Sequence, residues 1–469
     1  MHAALIIIIL SLLNIYNIAN AAFYAQITDL KSGALHTYPN SNDHFVMFGS
    51  SQKIFTAFTA FNILGEDFQF ETKIQKNGII KNGVLFGDII IKFDGNPDLN
   101  DTHFLYIAQK IKALGITEIK GSVILDVSEF DSQIYPHGST IENQNMCYNA
   151  PFSAAIIDKN CSMISIQNES KQLFAESKDN FVQIHSEALY DPKICDLDLS
   201  YQHDNHYLLT GKCNIQNEMK FKIAVRSPLL LSKHLVKENL NIAKIKYKKV
   251  YISSVSYAQE TQFLFSIKSR PLWAIMKDVL IKSDNLLSEA LIKKIGSLNG
   301  EGSWNRGLSV MHLFLQRQLG ISSEKITMAD GSGLSRKNLF HLDAFSLMLN
   351  KLALMNYHTS LYNSLSTAQS CKIDTNNQYI INNLIPIHYR GFPLNHIDAN
   401  RVLIKTGGLD GVRAVAGYFF DCSGTPIYSI VGLINTSYLQ KNKNLNSELA
   451  KRLEDIICNL DQKHCFNPN

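Results

Sequence analysis

The sequence lacks most features that would declare a function at once. None of its eight cysteines, at 147, 161, 195, 213, 371, 422, 458 and 465, forms a C-x-x-C pair, which leaves a zinc-ribbon or dithiol redox site without support. The fifteen histidines are scattered without ligand spacing, so no metal and no cofactor is expected. A net charge of +4 over 469 residues is no nucleic-acid footprint. The densest basic run, Lys244 to Lys249, is interleaved with Ile245 and Tyr247 and reads as a solvent-facing strand. Internal repeats and low-complexity tracts are absent. After Leu13 no run is long and apolar enough to span a bilayer, so no stable membrane span is expected in the mature chain.

What is present begins with an export-like start. Ala3 to Leu13 is apolar or small with one serine, and Ala19-Asn20-Ala21 supplies a small-x-small cleavage pattern. Only the α-amino group and His2 offer positive charge ahead of it, and an uncleaved anchor is the alternative to cleavage. No cysteine follows the small residues, which argues against a lipoprotein. Residues 1–21 are therefore read as a signal peptide, and the mature protein as periplasmic or otherwise exported. An even cysteine count in an exported chain suggests disulfides, although eight cysteines permit 105 connectivities. Neighbour pairing (147 with 161, 195 with 213, 458 with 465) is the natural expectation, leaving 371 with 422. Hydrophobic content of 45% and charged content of 18% suit a globular chain with a sizeable core.

Pattern gives a coarse architecture. Tyr24 to Leu30 and Ala34 to Tyr38 read as strands around a Lys31-Ser32-Gly33 turn, and Ser50 to Leu64 as a helix. A long middle is rich in short β-like runs such as Asp88 to Ile91, Ser122 to Leu125 and Met163 to Ile166. From Pro271 the period turns helical: Pro271 to Lys282, Asn285 to Leu298, Arg306 to Leu319 and Leu342 to Leu354. Strands return at Arg401 to Ile404, Val412 to Phe420 and Ile427 to Leu433, before a last amphipathic helix, Ser447 to Leu460. This order implies an α/β (α+β) fold, a mixed sheet covered by helices and interrupted by a large β-rich insertion.

Three short motifs carry the chemistry. Ser50-Ser51-Gln52-Lys53 closes an apolar stretch and opens the run Ile54 to Phe61. At a helix start the hydroxyl of Ser50 and the amine of Lys53 share one face, and a lysine can activate a serine by taking its proton. The pattern is cheap, since Ser322 to Lys325 repeats it. Lys282-Ser283-Asp284-Asn285 falls at a helical junction; its bland reading is a helix cap, and Ser297-x-Asn299 and Ser303-x-Asn305 share its spacing. Lys405-Thr406-Gly407-Gly408 ends a strand, where a cation, a hydroxyl and small residues would let a peptide approach; Lys31-Ser32-Gly33 is its decoy. Order separates site from decoys: S-x-x-K on a helix, S-D-N at a junction and K-T-G on a late strand occur together in penicillin-binding proteins and class A β-lactamases.

With those motifs in place the chain resembles the low-molecular-mass class C penicillin-binding proteins, the D-alanyl-D-alanine carboxypeptidase/endopeptidases, through essentially its whole mature length. Gly95-Asn96-Pro97-Asp98-Leu99, Ala155 to Cys161 and Asp330-Gly331-Ser332-Gly333-Leu334-Ser335 add to the likeness, as does the long gap from Lys53 to Ser283. The resemblance implies a penicillin-binding/β-lactamase-like transpeptidase domain formed by 22–75 and 266–469, with an insertion over 76–265 of one or two modules. It further implies a serine DD-peptidase acting on D-Ala-D-Ala termini or cross-links of peptidoglycan peptides, with β-lactams as covalent inhibitors. Ser50 would be the nucleophile, Lys53 the base and Ser283 the proton relay to the leaving amine. Asn285 would hold the substrate amide, and Lys405 and Thr406 the carboxylate. Gly407 and Gly408 would complete the substrate-binding strand, and the N–H groups of Ser50 and Gly408 would form the oxyanion hole. Two departures stand out: Gly408 occupies a position where the family often has a hydroxyl residue, and Phe48-Gly49 replaces a common proline and alanine. A serine β-lactamase and a non-catalytic wall-binding relative are the alternatives, and a homodimer is left open.

Overall fold

Asp29 starts the fold locally: its carboxylate accepts hydrogen bonds from the N–H groups of Lys31 (2.8 Å) and Ser32 (2.9 Å) and closes a hairpin of strands Ala22–Asp29 and Leu35–Tyr38. The computed structural model describes residues 22–39, 44–177, 181–354, 385–386, 392–421, 425–436, 445–462 and 465. The expected signal segment, 1–21, lies outside them. Among the described residues no helix is long and apolar enough to cross a membrane.

The chain forms two compact units, one of residues 1–59, 276–283 and 311–469, the other of 60–275 and 284–310. The first is built on an antiparallel six-stranded sheet in the order Leu35–Tyr38, Ala22–Asp29, Pro426–Asn435, Val412–Phe420, Val402–Leu409, Ile385–Pro386. Strand alternation sends Val415 and Phe419 into a core with Leu449, Leu453 and Ile457 of helix Leu445–Leu460, whose apolar residues recur at helical spacing. Tyr418 points the other way and donates to the carbonyl of Leu349 in helix Leu342–Leu354 at 2.7 Å. Helices thus cover both faces, which is why the central strands read as continuous apolar runs rather than as alternating ones.

The second unit holds two sheets. One is mixed, in the order Gln262–Lys268, Glu71–Lys76, Ile89–Lys92, Glu118–Asp126, Val84–Phe86, Ile79–Lys81, with Lys246–Ser253 parallel to Glu118–Asp126. Within this strand Lys246, Lys248 and Lys249 are exposed while Val250 is buried. Two helices were not anticipated in this region, Asp101–Ala113 and Pro228–Ile242. Their signals are in the sequence: Asn100 caps the first by accepting from the N–H of His103, Phe104, Ile107, Ala108 and Ile111 form its buried stripe, and Pro228 opens the second. The other sheet, from Cys161–Glu169 to Glu218–Ala224, packs Ile166, Leu173, Leu209 and Ile215. Also in this unit, the fully buried Lys293 of helix Asn285–Ser297 donates to Asp131 (2.5 Å) and stands 4.0 Å from the Trp304 ring centroid. Burial pulls this lysine below the usual range, against the opposing pull of Asp131.

Three disulfides form the expected neighbour pairs, Cys147–Cys161, Cys195–Cys213 and Cys458–Cys465. Cys371 and Cys422 lie outside the described residues. Exported protein is therefore expected to present few or no thiols to an alkylating reagent until it is reduced. Mass spectrometry showing most of the eight cysteines alkylated without reduction would count against this.

Candidate active site

Ser50 sits half-buried in a 3-10 turn, Gly49–Gln52, that runs into helix Lys53–Leu64. In 3-10 geometry residues i and i+3 eclipse, which sets Lys53 directly over Ser50. The Lys53 Nζ donates to Ser50 Oγ at 2.8 Å and to the carbonyl of Ser332 at 2.7 Å, and the residue is wholly buried. The sequence reading of one helix from Ser50 is thus refined: the tight turn, rather than an α-turn, brings hydroxyl and amine together. Phe48, preceding it, packs on Phe345 with ring centroids 3.8 Å apart, so this departure from the family pattern fills an aromatic core.

The Gly-rich loop is folded around the Asp330 carboxylate, which accepts from the N–H groups of Gly333 (2.8 Å) and Ser335 (2.6 Å) and from the Asn338 carboxamide (2.8 Å). Gln52 and Thr56, one and two turns into the nucleophile's segment, donate to the carbonyls of Asp330 and Gly331, both at 2.6 Å. These bonds hold the Ser332 carbonyl where it receives Lys53. Sequence reading singled out the loop but missed Gln52, Thr56 and the Ser332 carbonyl. Two polar residues four apart, Gln52 and Thr56, at the start of an otherwise apolar run were the available signal.

Strand Val402–Leu409 brings the third motif beside the same turn. Ser51 Oγ donates to the Lys405 carbonyl at 3.1 Å. A Cβ on Gly407 would lie 1.8 Å from the carbonyl oxygen of Phe48, so only glycine allows this approach of strand to turn. Gly408, by contrast, is exposed, and a Cβ there would find its nearest neighbour, Arg413 Nη1, at 3.6 Å. Thr406, just before Gly407, is partly exposed. The buried Lys405 donates through Nζ to Ser283 Oγ at 2.9 Å and to the Thr406 carbonyl at 2.8 Å. Ser283 adopts φ 58°, a left-handed conformation that costs a serine about 1–3 kcal/mol.

The structure therefore gathers Ser50, Lys53, Ser283, Lys405, Thr406, Gly407 and Gly408 within the first unit. Asn285 begins the next helix, belongs to the second unit, and donates from its carboxamide to the Tyr148 carbonyl at 2.7 Å. The decoys have structural duties instead. Ser322 Oγ accepts from the N–H of Glu324 (3.2 Å) while Lys325 pairs with Asp343, and Ser303 Oγ accepts from the N–H of Arg306 (3.2 Å). Two serine–lysine pairs in one site can both activate a hydroxyl and pass a proton, the requirements of acyl transfer.

The sequence model of the D-Ala-D-Ala carboxypeptidase 3 (S13) family matches residues 15–455. Among curated proteins, the chain is 29% identical over 434 residues to the D-alanyl-D-alanine carboxypeptidase DacB of Haemophilus influenzae, covering 87% of each. It is 24% identical over 402 residues to a D-alanyl-D-alanine carboxypeptidase of an Actinomadura species, covering 81% of this chain and 72% of that one. Among solved structures it is similar to the crystal structure of penicillin binding protein 4 (dacB) from Haemophilus influenzae, with a TM-score of 0.81 and 25% identity over 94% of this chain and 96% of that chain.

Proposed function

Because the chain belongs to the D-Ala-D-Ala carboxypeptidase 3 (S13) family, we propose that it is a serine DD-peptidase of peptidoglycan, working through an acyl-enzyme on Ser50 and inhibited by penicillin. The observation that carries this reading is the 2.8 Å contact between Lys53 Nζ and Ser50 Oγ. In the ground state the bond presents the amine to the hydroxyl; with Lys53 neutral, the same pair moves the proton from Ser50 to Nζ as Oγ attacks the carbonyl between two D-alanines. Ser283, hydrogen-bonded to Lys405, relays a proton to the leaving amine. Lys405 and Thr406 attract the substrate carboxylate, and Asn285 takes the substrate amide. The N–H groups of Ser50 and Gly408 stabilise the oxyanion, a contribution of about 2.7–4 kcal/mol per donor.

Family membership favours this reading over the β-lactamase and the non-catalytic alternatives. The reading includes export of the protein, with the transpeptidase-like part carrying the site and 76–265 forming the insertion.

Mass spectrometry of purified wall peptides after digestion tests the activity, with loss of D-alanine or cleaved cross-links as the expected products. Gly408 sharpens the expectation. With no side-chain hydroxyl at this position, recognition of a short peptide's terminal carboxylate rests on fewer donors. Cross-linked muropeptides have more remote surface to bind, and remote binding energy realised in the transition state lowers the barrier. They are expected to be cut with higher kcat/KM than peptides ending in D-alanyl-D-alanine. Gly408→Thr is expected to narrow that gap by about 1 kcal/mol, the scale of one net hydrogen bond, and a Cβ at this position meets nothing closer than 3.6 Å. A wild-type protein that already prefers the short peptide, with no change on Gly408→Thr, would show that Gly408 is only tolerated.

A further inference from the structure

Two stretches that mark the sequence, Gly95 to Leu99 and Ala155 to Cys161, have no part in the chemistry above, yet the structure joins them. The N–H of Gly95 donates to the Ala154 carbonyl and that of Asp158 to the Leu99 carbonyl, both at 2.9 Å. Asp98 in turn holds Arg270 through a guanidinium contact of 2.8 Å. Residues 147–161 are closed into a loop by the Cys147–Cys161 disulfide, and Pro151 to Ile157 within it are buried.

The end of this loop is held in an unusual conformation. Asp158, Lys159 and Asn160 have φ of 48°, 59° and 53°, three consecutive non-glycine residues in the left-handed region. Such residues persist only where their surroundings over-determine them. Here the wholly buried Asn160 does so: its carboxamide accepts from the N–H of Ile157 at 3.0 Å and donates to the Pro151 carbonyl at 2.8 Å. The result is that Lys159 projects from a rigid turn, and its Nζ meets Asp284 Oδ2 at 2.7 Å. At the other end of the same loop, next to Cys147, the Tyr148 carbonyl accepts the Asn285 carboxamide at 2.7 Å.

We propose that the disulfide-closed loop Cys147–Cys161 is a two-point clamp on Asp284-Asn285, and that Lys159 is a positioning residue for the DD-peptidase reaction. Asp284 is bonded directly to Ser283 and caps helix Asn285–Ser297 by accepting from the N–H of Leu287 at 3.1 Å. Fixing its carboxylate from a rigid turn limits rotation of the strained Ser283 on one side and of Asn285 on the other. The inference rests on the DD-peptidase reading, since it assigns a role within that reaction.

The test separates positioning from folding. Asp284→Asn keeps a good capping residue and removes the ion pair; Lys159→Met removes the other half, and Lys159→Arg retains the charge. Fluorescent penicillin gives both the fraction of active sites and the acylation rate at Ser50, while kcat and KM are measured on a peptide ending in D-alanyl-D-alanine. Asp284→Asn and Lys159→Met are each expected to lower the acylation rate and kcat about tenfold per titrated site, within the ~100-fold that a 1 Å misplacement can cost. KM should change less than kcat, Lys159→Arg should recover most of the loss, and the double variant should lose no more than either single one, as for residues acting through one contact. Wild-type acylation rates in titrated Asp284→Asn and Lys159→Met, whatever their melting temperatures, would overturn the clamp while leaving the DD-peptidase reading intact. A wild-type protein that penicillin does not label would overturn both. Should Lys159→Met fail to fold, Asp284→Asn decides.

Discussion

Labelled penicillin is expected to form a stable adduct on Ser50, and Ser50→Ala to abolish both the adduct and peptide hydrolysis. The expected loss is on the order of 10⁶-fold, the scale seen when a nucleophile that acts as a unit with its base is removed from a serine hydrolase. Lys53 is not expected to substitute, because it is wholly buried and its amine is engaged with the Ser50 hydroxyl. The discriminating measurement is a peptide map of the labelled protein. Ser322 lies in the same four-residue pattern and is the natural rival, but its Oγ caps a short turn and its lysine is paired with Asp343. An adduct mapped to Ser322, or full labelling of Ser50→Ala, would sink the assignment.

Gly407→Ala is expected to lose penicillin labelling almost as completely, although it changes no group that takes part in the chemistry. A methyl group there would lie 1.8 Å from the Phe48 carbonyl oxygen and 2.9 Å from the Ser51 nitrogen, both backbone atoms that no rotamer change can move aside. Strand Val402–Leu409 must therefore shift away from the turn that carries Ser50. A displacement near 1 Å costs roughly 100-fold in rate, and forced overpacking costs about 1–3 kcal/mol of stability. Gly408→Ala is the packing control: its methyl group meets nothing closer than 3.6 Å, so the melting temperature should stay at the wild-type value. The comparison is made by acylation rate and thermal melting of the two variants side by side. Wild-type labelling and melting in Gly407→Ala would mean that strand and turn are not packed as described.

The sequence by itself determined the local elements and named the candidates for the site. Asp29-x-Lys31-Ser32-Gly33 specifies its own turn, because short polar side chains bond neighbouring N–H groups wherever the chain is placed. The 3.6-residue recurrence of Leu445, Leu449 and Leu453 requires a helix with one buried face. The order of the three motifs singled out Ser50, Lys53, Ser283, Asn285, Lys405 and Thr406 from equally good local matches, since order along the chain is a property that decoys do not share. The helix Asp101–Ala113 is equally legible in its Asn100 cap and its buried stripe, although strand-like runs surround it. Tertiary structure alone decided the rest. Lys159 and Asp284 are 125 residues apart, and nothing in either neighbourhood announces the other. That Gly407 must be glycine while Gly408 need not be follows from the backbone each one faces. Local periodicity and turn chemistry are short-range and can be read from a few residues. Which carbonyl meets which glycine, or which lysine meets which aspartate, depends on the path of the whole chain, and local sequence does not encode that path in any window around the site.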